Sequence, residues 1–384
     1  MDRDVLSGAR RILLVRLDNI GDVILLGPAI RAIREAHPEA HLALLASPAG
    51  ALAAPLLPWL DEVVVERVVW QDASDDPSFA PAEAIAMVDR LRAGHWDAAL
   101  IFTSFSQTPY PPAFAAYLAG IPIRAAQASD FGGAVISHRV ESAEWEVHQA
   151  DRNLHLVTGL GVPLVDDGLR VVIPGAASER TDDLLATTGL DASASFVLVV
   201  PGASCAARRY PASRYGEIAA ALNAASGLAV VVAGTEREST LASAIQQRLP
   251  AARSLVGMTT VPELAALVAR AALVICGNSA ALHLADALRR PVVALYSGTD
   301  LEAQWAPRQT ASVVLRRDTD CHPCYAMSCP FALECLDVDP AEAVGAGLAL
   351  LDVGRRDPAD RGERAATWTV GGRYQERSWT AFAS

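Results

Sequence analysis

Asp22 stands directly after a glycine where an apolar run ends, in Arg11-Ile-Leu-Leu-Val-Arg-Leu-Asp-Asn-Ile-Gly-Asp-Val23. A carboxylate placed there could take the proton from an attacking hydroxyl. The same position suits a helix N-cap, the commoner duty of an aspartate after a strand. A second group of residues, Val200-Pro-Gly-Ala-Ser-Cys-Ala-Ala-Arg-Arg-Tyr-Pro211, carries Ser204 and Arg208 in a small-residue loop before a proline. Backbone N–H groups, the Ser204 hydroxyl and the Arg208 guanidinium together suit a diphosphate. A solvated basic turn is an equal reading of these residues taken alone.

Two further segments complete the set. In Val230-Val-Val-Ala-Gly-Thr-Glu-Arg-Glu238, Glu238 could accept hydrogen bonds from a ribose or sugar hydroxyl, although glutamate is favoured at any helix start. In Cys276-Gly-Asn-Ser-Ala-Ala-Leu-His283, Asn278 or Ser279 can cap a helix. The free N–H groups of its first turn, around Ser279 and Ala280, form an anion site. His283 lies four residues after Ser279, on the same helical face. It can point toward whatever the helix start binds, or pack in the core.

Four of the six cysteines, Cys321, Cys324, Cys329 and Cys335, follow the spacing C-x2-C-x4-C-x5-C. In a cytosolic chain such clustering signals a metal more often than disulfides. Paired C-x2-C knuckles are absent, so ligation of zinc or an iron–sulfur cluster and a reduced, packed loop both stay open.

These groups need rigid elements to hold them. Apolar β-branched runs predict strands at 11–16, 41–46, 62–66, 97–102, 196–200, 228–233, 272–276, 291–296 and 311–315. Amphipathic stretches predict helices at 29–36, 81–93, 110–119, 147–159, 211–225, 238–248, 261–270 and 279–289. This alternation implies α/β architecture with parallel sheets. A domain boundary is expected near 170–195, where polar Ser178-Glu-Arg-Thr-Asp-Asp183 precedes the new strand Phe196-Val-Leu-Val-Val200. Both candidate sites lie at the carboxyl ends of strands, where open α/β sheets bind ligands. One site per half suggests a cleft between two sheet domains. An acidic loop over 71–77 and a charged stretch over 355–384 fall outside the pattern.

The chain has 384 residues, 52% of them hydrophobic, and a net charge of −12. That length supports two cores. The acidic balance disfavours a nucleic-acid binder and broad adhesion to anionic lipid. All 32 basic residues are arginine, so any phosphate-binding lysine of a relative must appear here as arginine. No secretory signal precedes the first strand, and no apolar run reaches the roughly 20 residues of a membrane helix. A cytoplasmic protein is expected. Neither first loop carries G-x-G-x-x-G, which argues against a dinucleotide-dependent oxidoreductase.

The order of the motifs resembles glycosyltransferase family 9, the ADP-heptose:lipopolysaccharide heptosyltransferases and their relatives, over roughly residues 11 to 350. The resemblance rests on Gly21-Asp22, Pro28-Ala-Ile-Arg-Ala-Ile-Arg34 and His37-Pro-Glu-Ala40. It extends through Ala115-Ala-Tyr-Leu-Ala-Gly-Ile-Pro-Ile-Arg124 and Arg152-Asn-Leu-His-Leu-Val-Thr-Gly-Leu-Gly161. The second half adds Pro201-Gly-Ala-Ser204, Leu255-Val-Gly-Met-Thr-Thr-Val-Pro-Glu-Leu264, His283-Leu-Ala285 and Pro291-Val-Val-Ala-Leu-Tyr-Ser-Gly-Thr-Asp300.

The resemblance implies a GT-B fold, two Rossmann-like doubly wound domains facing across a cleft. Residues 1–175 would form the acceptor side and 176–354 the nucleotide-sugar side, with 355–384 a tail of unassigned role. It further implies an inverting, metal-independent glycosyltransferase that moves a sugar, heptose from ADP-heptose by analogy, onto a glycan or lipopolysaccharide-type acceptor. No cofactor is needed for the chemistry, and a lipid-linked acceptor brings peripheral contact with the inner membrane face. The family's base falls on Asp22, its phosphate-binding lysine on Arg208, its donor-binding acid on Glu238, and its Asp-Ser/Thr-Gly helix start on Asn278-Ser279-Ala280, followed by His283. The family usually has Asp where Asn278 stands and Gly where Ala280 stands. Those departures keep open a drifted, non-catalytic relative, and a GT-B nucleotide-sugar epimerase is the other alternative.

Overall fold

The computed structural model describes residues 4–71, 80–105, 107–191, 193–356 and 367–370. The chain divides into two compact units, Met1–Pro174 and Gly175–Ser384. Apart from Gln71, the acidic loop expected at 71–77 lies outside the described residues. So does the expected tail, apart from its first two residues and 367–370.

The first unit runs β1 (Arg11–Arg16), α1 (Ile20–Leu25), α2 (Gly27–Ala36), β2 (His41–Ala46), α3 (Pro48–Ala51), β3 (Glu62–Val65), α4 (Pro81–Ala93), β4 (Ala98–Ile101), α5 (Tyr110–Leu118), β5 (Ile123–Gln127), β6 (His138–Val140) and α6 (Gln149–Gly159). Its six strands are ordered β3-β2-β1-β4-β5-β6 and pair in parallel throughout. Ile12 sits between Leu42 and Ala98 in the register, so β1 is central. Its residues Ile12 to Arg16 are all buried, as a parallel strand covered on both faces requires.

The second unit runs α7 (Gly175–Thr187), β7 (Phe196–Val200), α8 (Ala212–Ser226), β8 (Ala229–Val232), α9 (Ser239–Arg248), β9 (Arg253–Ser254), α10 (Val261–Arg270), β10 (Leu273–Gly277), α11 (Ala280–Ala287), β11 (Val292–Leu295), α12 (Glu302–Trp305), β12 (Ser312–Leu315), α13 (Pro340–Arg356) and β13 (Thr367–Val370). The sheet order is β13-β12-β11-β10-β7-β8-β9, again parallel. In both sheets the first strand of the unit lies where the winding reverses. That is the topological switch point, where doubly wound sheets open for ligands.

Local chemistry explains several boundaries. α10 begins at a capping box, in which Thr260 N–H donates to Glu263 Oε2 at 2.6 Å and Glu263 N–H returns to Thr260 Oγ1 at 3.4 Å. α8 stops at Gly227, whose φ of 72° favours glycine.

Three expectations need correction. The polar stretch Ser178–Asp183, read as part of the domain boundary, lies inside α7. Ala177, Thr181, Leu184 and Leu185 bury one stripe of that helix while the acidic and basic residues face outward. Strands β5 and β6 were not anticipated, because Ile123-Arg-Ala-Ala-Gln127 and His138-Arg-Val140 carry no β-branched run; each is recruited by pairing with its neighbour. Thr367–Val370, within the expected tail, pairs with β12 as an edge strand.

Candidate functional site

At the carboxyl end of β1 the chain makes a compact polar cluster. Arg16, the last residue of the strand, is fully buried. Its Nη2 donates to Asp22 Oδ1 at 2.9 Å and to Ser104 Oγ at 2.8 Å. Ser104 comes from the segment after β4, the neighbouring strand at the switch point. The other Asp22 oxygen, Oδ2, accepts from Asn19 N–H at 3.1 Å. Asp22 is therefore the third residue of α1 and not its N-cap, a position held by Asn19. Its side chain keeps 14% exposure, so the carboxylate is oriented by fixed donors yet still reachable.

Asp18 completes the cluster. Arg16 Nε lies 2.8 Å from Asp18 Oδ2, an ion-pair contact not aligned as a hydrogen bond. Gln71 Nε2 donates to Asp18 Oδ1 at 2.7 Å, and Gln107 Nε2 donates to the same oxygen. Burial pushes the Asp18 carboxyl above its ordinary value, opposed by the nearby Arg16 and reinforced by Asp22. Sequence reading singled out Asp22 but missed Arg16, Asp18, Ser104 and Gln107. The available signal was a charged residue closing an otherwise apolar buried strand: a buried arginine requires carboxylates beside it.

At the matching end of β7 the structure gathers Ser204, Arg208 and Asn278 with two residues not assigned from sequence, Thr299 and Asp300. Arg208 Nε donates to Thr299 Oγ1 at 3.0 Å and its Nη2 reaches Asp300 Oδ2 at 2.7 Å. Arg208 Nη1 lies at 3.5 Å from Ser204 Oγ. Asn278 Nδ2 donates to Asp300 Oδ2 at 3.1 Å, and its Oδ1 accepts from the Ser297 N–H at 3.4 Å. Arg208 keeps 28% side-chain exposure, whereas Asp300 keeps 11%. One face of the guanidinium is thus anchored while the rest can meet an anion.

Asn278 precedes the helix and does not cap it. Ser279 takes the N-cap position of α11, but its hydroxyl makes no capping bond. The Leu282 N–H returns to the Ser279 carbonyl at 3.0 Å, which leaves the N–H groups of Ala280 and Ala281 for an anion. Glu238 closes its own turn by accepting from Thr235 N–H at 2.5 Å and Thr235 Oγ1 at 2.9 Å. Its carboxylate lies against Gly202 and Gly234, where an added Cβ would collide with it. Glu238 is thereby set beside the Gly202–Ser204 loop. His283 is buried one turn into α11, its ring 6.3 Å from that of Trp305.

All six cysteines are free. Cys321, Cys324, Cys329 and Cys335 line one small cavity with Gly298 and Thr299. Their loop is tied to the Thr299–Asp300 segment through Cys324 N–H to Gly298 O at 3.0 Å and Tyr325 N–H to Thr299 O at 2.9 Å. Burial raises the Cys335 thiol pKa. Among the described residues, no three His, Cys, Asp or Glu side chains are placed to hold a metal ion. Among the described residues no helix is long and apolar enough to cross a membrane.

Known proteins resemble this chain in sequence and in fold. A provisionally named glycosyltransferase of Haemophilus influenzae is 24% identical over 312 residues, covering 77% of this chain and 86% of that one. The lipopolysaccharide heptosyltransferase 3 of Escherichia coli is 28% identical over 160 residues, covering 41% of this chain and 46% of its own. The E. coli ADP-heptose lipopolysaccharide heptosyltransferase II shares the fold with a TM-score of 0.69 at 20% identity, over 90% of this chain and 99% of that one. The two units are accordingly those of the GT-B class. Residues 85–334 match the profile of glycosyltransferase family 9 (heptosyltransferase), and the chain belongs to that family.

Proposed function

We propose that the protein is an inverting glycosyltransferase that transfers heptose from ADP-heptose to a glycan or lipopolysaccharide-type acceptor, with Asp22 as general base. The observation that carries this reading is the Asp22 carboxylate, clamped by Arg16 and the Asn19 N–H at the switch point and 14% exposed. A base must be held in line with the proton it removes, and fixed donors provide that alignment. ADP-heptose is suggested by the relatives' substrates.

In the proposed reaction an acceptor hydroxyl gives its proton to Asp22 while its oxygen attacks the anomeric carbon. The bond to the diphosphate breaks on the opposite face, so the configuration inverts. Arg208, Ser204 and the N–H groups at the start of α11, those of Ala280 and Ala281, take up the charge of the departing diphosphate. Glu238, fixed beside Gly202, accepts from a ribose or sugar hydroxyl. Asn278 bears on the drifted-relative alternative: every polar atom of its side chain is bonded, so asparagine is integrated into this site and need not be a lesion.

Thermal unfolding with ADP, ADP-heptose, UDP and GDP tests the donor. A ligand of the native state at 100 times its dissociation constant adds about 2.7 kcal/mol of stability. The expected result is a rise with ADP and a larger one with ADP-heptose. A response confined to UDP or GDP would replace the donor.

A further inference from the structure

Among the described residues three arginines are buried: Arg16, Arg31 and Arg152. Arg16 contacts Asp18 and Asp22, and Arg31 pairs with Asp166 at 3.3 Å. Among the described residues Arg152 has no carboxylate partner. Only 7% of it is exposed. Its Nε is sealed from solvent and unbonded. Among the described residues its two terminal amino groups have no hydrogen-bond partner, and neither is among the atoms sealed from solvent. The guanidinium carbon rests 5.0 Å over the Phe105 ring, a contact weaker than the ion pair that a buried cation requires. Burial, and then the charge of Arg16, depress its pKa.

Two links tie it to the cluster that holds the proposed base, one through Arg16 and one through Phe105. Arg152 lies in the first turn of α6, close enough to Arg16 to feel its charge. Arg16 Nη1 is likewise sealed and unbonded. Phe105 follows Ser104, which is bonded to Arg16 and stands 3.4 Å from Asp22 Oδ1. Trp145 meets Phe105 edge-on at 5.5 Å and is 47% exposed, so the apolar surface extends outward from Phe105.

We propose that Arg152, supported by Arg16 and Phe105, binds an anionic group of the acceptor, a carboxylate or a phosphate, next to Asp22. The two free amino groups of a guanidinium match either group in bidentate fashion. The acceptor is then an acidic or phosphorylated sugar, whose charge locates the neutral hydroxyl that attacks. This inference rests on the reading of the β1 end as the acceptor side.

The test uses the full chain and three probes: glucose, glucuronate and glucose 6-phosphate, at matched ionic strength. Thermal unfolding is followed for the wild type, Arg152→Gln and Arg152→Met, each also with ADP. The wild type is expected to be stabilised by an anionic sugar and not by glucose; glucuronate or glucose 6-phosphate, whichever shifts it more, identifies the anion. Both variants should bind that sugar at least about tenfold more weakly, the loss of one charge-assisted pair. They should keep the ADP shift. Without ligand they should unfold no earlier than the wild type, because an unpaired buried charge has gone. The proposal is overturned if neither anionic sugar exceeds glucose, if the shift survives in both variants as an adventitious ion effect only, or if both variants unfold early as loss of a structural cation would require. Failure of ADP to bind any form, with the Arg152-dependent shift intact, would instead sink the donor assignment and leave the anion site standing.

Discussion

Asn278 donates from Nδ2 to the Oδ2 of Asp300 across 3.1 Å, and both residues are buried. The carboxylate that holds Arg208 thus comes from the segment after β11, and the amide after β10 serves it. An aspartate at 278 would set two carboxylates against one guanidinium.

Asn278→Asp is therefore expected to lower stability at neutral pH by about 1–3 kcal/mol, the cost of an uncompensated buried polar contact. One of the two carboxyls would have its pKa raised by the other. A raised folded-state pKa contributes stability below the unfolded value and loses it as pH climbs. The deficit should therefore shrink on acidification, and denaturant titrations at pH 4.5 and 7.5 check this. An equal deficit at both pH values would show that charge repulsion is not the cause.

Arg208 and Asp300 can be separated by a double-variant cycle. Arg208→Ala should weaken ADP binding by about tenfold to a hundredfold and also destabilise the protein, since Asp300 loses its partner. Adding Asp300→Asn should restore part of the stability and none of the affinity. Calorimetric titration with ADP, paired with melting curves, reads both quantities.

Gly202→Ala tests the placement of Glu238. The new methyl would meet a carboxylate that also closes the Thr235 turn, so the unfolding temperature should fall modestly. The carboxylate must leave its seat, and ADP affinity should fall about tenfold if Glu238 engages the nucleotide. Unchanged affinity would remove Glu238 from the donor site.

Asp18 makes stability depend on pH. Burial raises its pKa above the ordinary 3.8, so its contribution is fully present below that value and is lost as pH rises through the raised one. Asp18→Asn abolishes this titration while keeping an oxygen for Gln71 and Gln107. The fall in stability from about pH 4 upward should flatten in the variant relative to the wild type.

Much of the frame was legible because buried parallel strands announce themselves. Arg11–Arg16, His41–Ala46 and Phe196–Val200 coincide with their apolar runs, and Pro81–Ala93 and Val261–Arg270 with theirs. Ile123–Gln127 was hidden because its strand identity comes from β4 alongside it. The placement of candidate residues was legible where a motif sits at a strand end, as for Asp22, Ser204 and Arg208. Asp18, Ser104 and Asp300 were not, since their importance lies in which distant residue they touch. Ser104 lies 88 positions from Arg16, and Asp300 lies 92 from Arg208. Spacing along the chain carries no record of such pairs.

The most direct measurement is turnover of the Asp22→Asn variant with ADP-heptose and a competent acceptor, alongside its melting temperature and ADP affinity. The carboxamide can still accept from Arg16 but cannot take a proton. Turnover should drop at least about a hundredfold while ADP affinity is kept and the protein stays folded. Near-normal turnover in a folded Asp22→Asn protein would contradict the assignment of Asp22 as the base.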